Sequence, residues 1–441
     1  MPSRVRIVNT ASLRQESADL VHLPVEAAAL PFDRETLRRC TGDEKEFVAD
    51  IWGKRAHITS GGIPDEDLIG VEDVDRLLSD IPLLRAEMIR LVRDGEILPR
   101  TSYLRSVRDV YPRPADLEMT ENEHLLELLT RGAASAAEVT AAVRGGATLI
   151  LENAHWYHPP LTAFCRALEL ALGHRCRANV YLSPVSAQGF DLHTDRTDVF
   201  VLQAFGEKHW HLEATPWQRA HGLDPEVTDP VLRPGDVLYI PRGTPHRAYT
   251  KSARSGHVTI SVTPNAWRDV LRASLTRLVE QSLPAELLDA ELPVGWLHDP
   301  AATAGPAERF TQAVGAAVAG QEPDGIRTAH LLDFLTGLTD RIPGAYTTDQ
   351  ALGVLGVTDT TRLRRRRTVP CALFTERSRE RLYVVLGRRT LVLPGRYTDV
   401  VCHLAALDAF RPEDFSSFGL DAMERRELCQ ALVDTHLLVS D

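Results

Sequence analysis

The sequence predicts an α+β protein, with a central antiparallel β-barrel or sandwich between helical regions and a compact mixed unit at the C-terminal end. Three observations carry this. Five short runs rich in β-branched and aromatic residues, ANVYLSP, DVFVLQAF, KHWHLEA, DVLYIP and HVTISVTP, crowd into residues 178–264 with turn residues between them. On both sides of that stretch apolar residues recur at helical spacing. In the last ninety or so residues a hairpin pattern sits among helical ones, which suggests a winged-helix-like shape.

Taken in order, residues 1–110 read as mainly helical, on the periodicity of ETLRRCTGDEKEFVADIW and VEDVDRLLSDIPLLRAEMIRLV. A helix over 136–144 leads into a short strand, ATLILEN, at 147–153. PPLTAFCRALELALG, 159–173, has proline in its first turn and glycine at its end, the marks of a bounded helix. After the five strands, WRDVLRASLTRLVEQSL, ERFTQAVGAAVAG and RTAHLLDFLTGL return to helix, with the Pro-, Ala- and Gly-rich stretch 281–307 as connection. RLYVVLGRRTLVL reads as a hairpin, TDVVCHLAAL and LDAMERRELCQALVD as helices, and THLLVSD as a closing strand. The RLRRRR run at 362–367 reads as a solvated loop in preference to a nucleic-acid surface.

At 441 residues the chain exceeds one ordinary domain, and its 44% hydrophobic and 25% charged residues are those of a globular protein. No stretch approaches the roughly 18 consecutive apolar residues of a membrane span, and the N-terminus lacks the apolar core of a secretory signal. Cytoplasmic residence is the expectation. The six cysteines are scattered without a CxxC pair, which fits reduced thiols. A net charge of −11 argues against direct nucleic-acid binding and makes a basic substrate more natural. Only four of the basic residues are lysines, Lys45, Lys54, Lys208 and Lys251, so each stands out from an arginine-rich background.

The chemistry is carried by two segments. In HTDRTDVFVLQ, His193 and Asp195 are two apart, so on a strand both would leave the same face and offer an imidazole and a carboxylate to one metal ion. In GDVLYIPRGTPH, Gly235, Pro241, Gly243 and His246 keep the spacing of the second cupin sequence motif, a turn, a strand and a reversal that presents the histidine. Two histidines and one carboxylate on one face of an octahedral ion leave three positions open, the arrangement of non-haem Fe(II) oxygenases. Those positions suit a chelating 2-oxo acid and dioxygen. A cation is then needed for the far carboxylate of 2-oxoglutarate, and Lys208, opening the strand after the turn at AFGE, is the candidate.

NVYLSPVSAQGFDLHTDRTDVFVLQAFGEKHWHL, PRGTPH and SGHVTISVTPNAW together resemble the JmjC-type cupin family that contains the ribosomal oxygenases, and EFVADIWGKRAHI resembles its N-terminal tryptophan-lysine segment. The close match covers roughly 147–268. The resemblance implies a double-stranded β-helix barrel that holds Fe(II) through His193, Asp195 and His246. It implies Lys208 as partner of the 2-oxoglutarate C5 carboxylate, fifteen residues after the first histidine, and Thr259 as hydroxyl donor to that carboxylate. Asn179 and Tyr181 match family positions facing the iron. In layout it implies a mainly helical region packing on the barrel (1–145), the catalytic core (146–268), a helical dimerisation region (269–345) and a winged-helix-like domain (346–441).

The activity so implied is hydroxylation of a side chain in a protein or peptide, such as a ribosomal protein, coupled to conversion of 2-oxoglutarate and dioxygen to succinate and carbon dioxide. A homodimer is the implied assembly. Asp191 and Arg196 depart from the pattern of the human members, which carry a small or apolar residue and an acidic one there. The competing readings are the same chemistry on a free amino acid or peptide natural product, a cupin metal enzyme without 2-oxoglutarate, and a non-catalytic binding protein with a degenerate barrel.

Overall fold

The structure, a computed structural model, describes residues 6–13, 19–23, 31–63, 68–79, 85–104, 132–223, 228–292, 294–320, 322–338, 341–343 and 356–440. From the N-terminus its strands are β1 (Arg6–Asn9), β2 (Leu20–His22), β3 (His57–Thr59), β4 (Ile89–Arg93) and β5 (Glu96–Ile97). The central stretch holds β6 (Thr148–Leu151), β7 (Arg175–Ser183), β8 (Asp198–Gly206), β9 (Lys208–Leu212), β10 (Val231–Leu232), β11 (Val237–Ile240), β12 (His246–Tyr249) and β13 (Ser255–Thr263). β14 (Leu363–Arg365), β15 (Ala372–Glu376), β16 (Arg381–Leu386), β17 (Arg389–Pro394), β18 (Ala409–Phe410) and β19 (Leu438–Ser440) complete the set.

The chain forms two compact units, residues 33–264 and residues 1–32 with 265–441. In the first, an eight-stranded antiparallel sheet of order β3-β11-β8-β13-β7-β6-β4-β5 accompanies a three-stranded one of order β10-β9-β12. The large sheet is buried on both faces because its strands alternate two apolar sets. Phe200, Leu202, Tyr239, Val258 and Ile260 meet Leu161, Phe164 and Leu168 of the helix Pro159–Leu172. Val199, Val201, Leu238 and Ile240 point the other way, toward Trp210, Leu212 and Leu232 of the small sheet. The space between the sheets is therefore fixed by strand parity, and the polar residues of that second face are the ones free to do chemistry.

The helices at 136–144 and 159–172 lie where proline, glycine and periodicity place them. Gly173 ends the second with φ +67°, the left-handed conformation glycine adopts without penalty. Residues 71–92, expected as one helix, are instead the helix Val71–Ser79 and the strand β4, with 80–84 outside the described residues. Pro82 interrupts the helical pattern, and β4 pairs with β6. The described residues of 1–110 are thus less helical than expected.

In the second unit β1 and β2 pair with β17 and β15, giving the order β1-β17-β16-β15-β2. β1 and β2 accordingly belong to the sheet formed with β15, β16 and β17. The RLRRRR run is not a solvated loop. Arg365 and Arg366 are buried, and Arg366 donates to the carbonyls of His436 (2.9 Å) and Leu438 (3.1 Å). On β14 Arg364 is exposed and Arg365 is buried. Among the described residues no helix is long and apolar enough to cross a membrane.

Candidate metal centre and cavity

His193 and His246 face each other across an isolated antiparallel bridge, in which each backbone N–H donates to the other's carbonyl, at 3.0 and 2.8 Å. β8 begins only at Asp198, so the HTD segment is an extended stretch before the strand, where sequence reasoning placed it on the strand itself. The bridge to β12 replaces the ladder in aiming the side chains. Gly243, at φ +75°, makes the reversal of PRGTP possible and donates its N–H to the Asp195 carbonyl at 2.8 Å. A Cβ there would come within 2.9 Å of Pro216 Cγ, so the turn accepts little but glycine.

The outcome is a cluster of three donors, His193, Asp195 and His246, whose ligand atoms all lie within 4.8 Å of one another. His246 Nε2 is 3.6 Å from Asp195 Oδ2, and the two imidazole centroids are 4.4 Å apart. Each ring is oriented by the carbonyl of the residue two before it. His193 Nδ1 lies 2.8 Å from the Asp191 carbonyl, and His246 Nδ1 lies 2.9 Å from the Thr244 carbonyl. A carbonyl only accepts, so Nδ1 carries the proton and Nε2 presents its lone pair, the tautomer that ligates a metal. Burial lowers the His246 pKa, keeping that ring neutral. The donor set, two imidazoles and one carboxylate, fits a divalent first-row transition metal such as Fe(II).

These residues open onto a cavity of about 430 Å³ between the two sheets. Lys208 lies in its wall, only 2% exposed, and its Nζ donates to Ser183 Oγ at 2.7 Å. Ser183 in turn exchanges a hydrogen bond with Thr148 Oγ1 at 3.0 Å. Among the described residues no carboxylate pairs with Lys208, and burial pulls its pKa down to about 7. An ammonium placed so is incomplete without an anion.

Tyr181 and Thr259 line the cavity too. The Tyr181 hydroxyl is pushed up to about 12, chiefly by burial, and stays protonated. Asn179, paired with Thr259 in the β7–β13 register, is buried, and its Oδ1 accepts from the Asn153 N–H at 2.9 Å. It is not among the cavity-lining residues. His209 and His211 face away from it, against Tyr249 and Asp229. Sequence reasoning missed Ser183, Thr148 and His257. Ser183 and His257 are each two residues from a residue that it had picked, Tyr181 and Thr259, and strand parity alone puts them on the same face.

Residues 157–270 match the model of the JmjC domain. Over 123 residues the chain is 42% identical to ribosomal oxygenase 2 of Rattus norvegicus, covering 25% of this chain and 26% of the rat protein. Over 210 residues it is 29% identical to the bifunctional lysine-specific demethylase and histidyl-hydroxylase NO66 of Dictyostelium discoideum, covering 43% and 41%. The chain thus spans well under half the length of these two curated relatives. The crystal structure of Escherichia coli ribosomal oxygenase YcfD superposes with a TM-score of 0.50 at 17% identity, over 90% of this chain and 98% of that one. A second YcfD structure, in complex with cobalt and succinic acid, matches over the same shares with a TM-score of 0.50 at 16% identity. At such identity the likeness speaks to the fold. The chain is therefore similar to ribosomal oxygenases, and its residues 157–270 match the JmjC domain.

Proposed function

We propose that this JmjC-domain protein is an Fe(II)- and 2-oxoglutarate-dependent oxygenase that hydroxylates a side chain of a protein or peptide, a ribosomal protein being the first candidate. One observation carries the reading. The metal-ligating trio and a buried, anion-seeking lysine share the wall of one cavity. A generic cupin metal site accounts for the trio and leaves Lys208 without a task. The names of the relatives, ribosomal oxygenases and a histidyl-hydroxylase, support the same reading, and so do the cobalt and succinic acid held by YcfD.

In this assignment His193, Asp195 and His246 hold the metal. Bound there, Fe(II) with 2-oxoglutarate supplies dioxygen activation coupled to oxidative decarboxylation. Lys208 holds the far carboxylate of the cosubstrate, and Thr259 adds a hydroxyl donor from β13 of the larger sheet. Tyr181, kept protonated, offers a hydroxyl to cosubstrate or substrate, with Asn179 two residues before it on the same strand as a further cosubstrate-binding position. Val199, Val201 and Ile240 exclude water from the inner wall. A cytoplasmic setting fits the six unpaired cysteines, and a homodimer belongs to the same reading.

Purified protein loaded anaerobically with Fe(II) is expected to bind one ion per chain and to form succinate from 2-oxoglutarate on admission of air. His193→Ala and His246→Ala should lose both properties with a largely unchanged circular dichroism spectrum. Full turnover in both variants would sink the assignment. Incubation with a proteome extract and mapping of +16 Da sites identifies the substrate.

A further inference from the structure

His257 has no task in the reading above, yet it is among the most constrained polar residues of the cavity. It is 3% exposed and lines the same space as Lys208 and Thr259. Its position on β13 is two residues before Thr259 and opposite Tyr181 on β7, so parity aims it at the cavity. The imidazole lies flat on the Tyr181 ring, centroids 4.8 Å apart at 5°, and meets Trp210 edge-on at 5.7 Å and 73°. Two aromatic contacts fix the plane of the ring. Its Nδ1 nevertheless has no hydrogen-bond partner, although it is out of contact with water. Roughly 90% or more of the buried polar groups of native proteins are paired, so an unpaired one calls for an explanation.

What completes this one follows from its neighbour. Lys208 has donors only, and it gives its hydrogen bond to Ser183 and none to the ring. An ammonium and an imidazole N–H that share a cavity wall without bonding each other are both satisfied by one acceptor, and a carboxylate has lone pairs enough for both.

We propose that His257 is a further cosubstrate-binding residue, donating a ring N–H to the carboxylate that Lys208 takes up. The inference rests on the 2-oxoglutarate reading and deepens it. The far end of the cosubstrate then meets one charged and one neutral donor, with Thr259 beside them. Burial and the Lys208 charge hold the His257 pKa well below its usual value, so the ring supplies a single N–H and adds no second positive charge. The stack on Tyr181 couples the two ends of the site, because a cosubstrate that orders His257 also orders the Tyr181 hydroxyl.

The experiment uses the full chain loaded anaerobically with Fe(II), with 2-oxoglutarate as the probe and its charge-transfer absorbance as the readout. His257→Phe keeps an aromatic ring against Tyr181 and removes both nitrogens. Its 2-oxoglutarate Kd is expected to rise about tenfold, with the Fe(II) affinity unchanged. In the double variant with Lys208→Ala the loss should be less than the product of the single losses, since both residues act on one carboxylate. Should His257→Phe not fold, His257→Asn against His257→Leu replaces it, and the amide-bearing variant must bind the probe more tightly. Tight binding by wild type with an unchanged Kd in His257→Phe overturns this inference and leaves the oxygenase reading standing. A rise in peptide-substrate KM with no change in the 2-oxoglutarate Kd overturns it equally. Absence of binding by wild type overturns both.

Discussion

Removing an ammonium group from water costs several kcal/mol unless hydrogen bonds and an opposite charge replace the lost hydration. Lys208 has one hydroxyl partner, Ser183, and burial brings its pKa to about 7. A bound carboxylate reverses that balance, and two outcomes follow. Lys208→Ala should weaken 2-oxoglutarate about tenfold to a hundredfold, the equivalent of one charge-assisted bond of roughly 1.5–3 kcal/mol. Iron affinity should hardly change, and Lys208→Arg should recover part of the binding, limited by the bulk of the guanidinium. Equal affinity of wild type and Lys208→Ala in an anaerobic titration would place the anion partner elsewhere. The second outcome is a pH dependence. The carboxylate binds the charged form of Lys208, which is complete below about pH 7 and lost above it. A bound anion raises the lysine pKa, so binding takes up a proton above neutrality. The apparent Kd should therefore be flat in mildly acidic buffer and rise by up to about tenfold per pH unit on the alkaline side. Calorimetry in buffers of different ionisation enthalpy measures the proton uptake, and a slope that persists in Lys208→Ala assigns it to another group.

The same division of labour runs along whole strands. On β8, Phe200 and Leu202 face the helices while Val199 and Val201 face the small sheet. On β13, Val258 and Ile260 go to the helical side while His257 and Thr259 go to the cavity. Substitutions on the two faces should then separate. Phe200→Ala leaves a hole in a fully buried core and should cost about 3–5 kcal/mol of unfolding free energy by denaturant titration. Thr259→Val keeps the shape of the side chain but removes its hydroxyl, and should act on 2-oxoglutarate affinity. A Thr259→Val variant with unaltered affinity would remove that residue from the cosubstrate site. This alternation is also why so much of the barrel was legible in the sequence: β7, β8, β9, β11 and β13 each carry a period of two that needs no partner to be read. What was not legible depends on pairing at a distance. β1 is four residues long and is defined by its ladder with β17, from Arg6 opposite Val392 to Asn9 opposite Arg389. β4 looks helical until β6 claims it. The HTD segment takes its extended form from a bridge to His246 and from the anchoring of the next residues. There Asp198, buried, accepts from the Tyr239 hydroxyl at 2.8 Å, a hydroxyl that in turn accepts from the Gly53 N–H beside Trp52. Strand parity singled out His193 and Asp195 for a reason that holds only in part: the spacing of two is real, but the strand is not.

At the scale of the whole molecule the unexplained surface is apolar. Along the helix Trp267–Ser282, Trp267, Leu271, Leu275 and Val279 recur every fourth residue and form a continuous ridge. They are 85%, 58%, 44% and 39% exposed, whereas Leu278 on the same helix is 5% exposed and does the packing. Single exposed leucines are ordinary, but a ridge of four large side chains on one helix is the kind of patch that soluble proteins cover. Ridges of this spacing pack into the grooves of a like ridge, which makes a second copy of the chain the simplest cover, and a two-fold axis brings the same patch to both partners. The region expected from the family resemblance to dimerise, 269–345, contains most of this helix. We therefore expect a homodimer near twice the chain mass of 48.9 kDa by light scattering at micromolar concentration. Leu271→Glu with Leu275→Glu places two carboxylates in the ridge and should give a monomer. The cavity lies wholly within residues 33–264, so that monomer should still bind Fe(II) and 2-oxoglutarate with the affinity of wild type. A wild-type protein that runs as a monomer refutes the dimer. A double variant that stays dimeric moves the interface away from this helix. Loss of cosubstrate binding on dissociation would mean instead that the second chain supports the site, an outcome that titration of the monomer distinguishes directly.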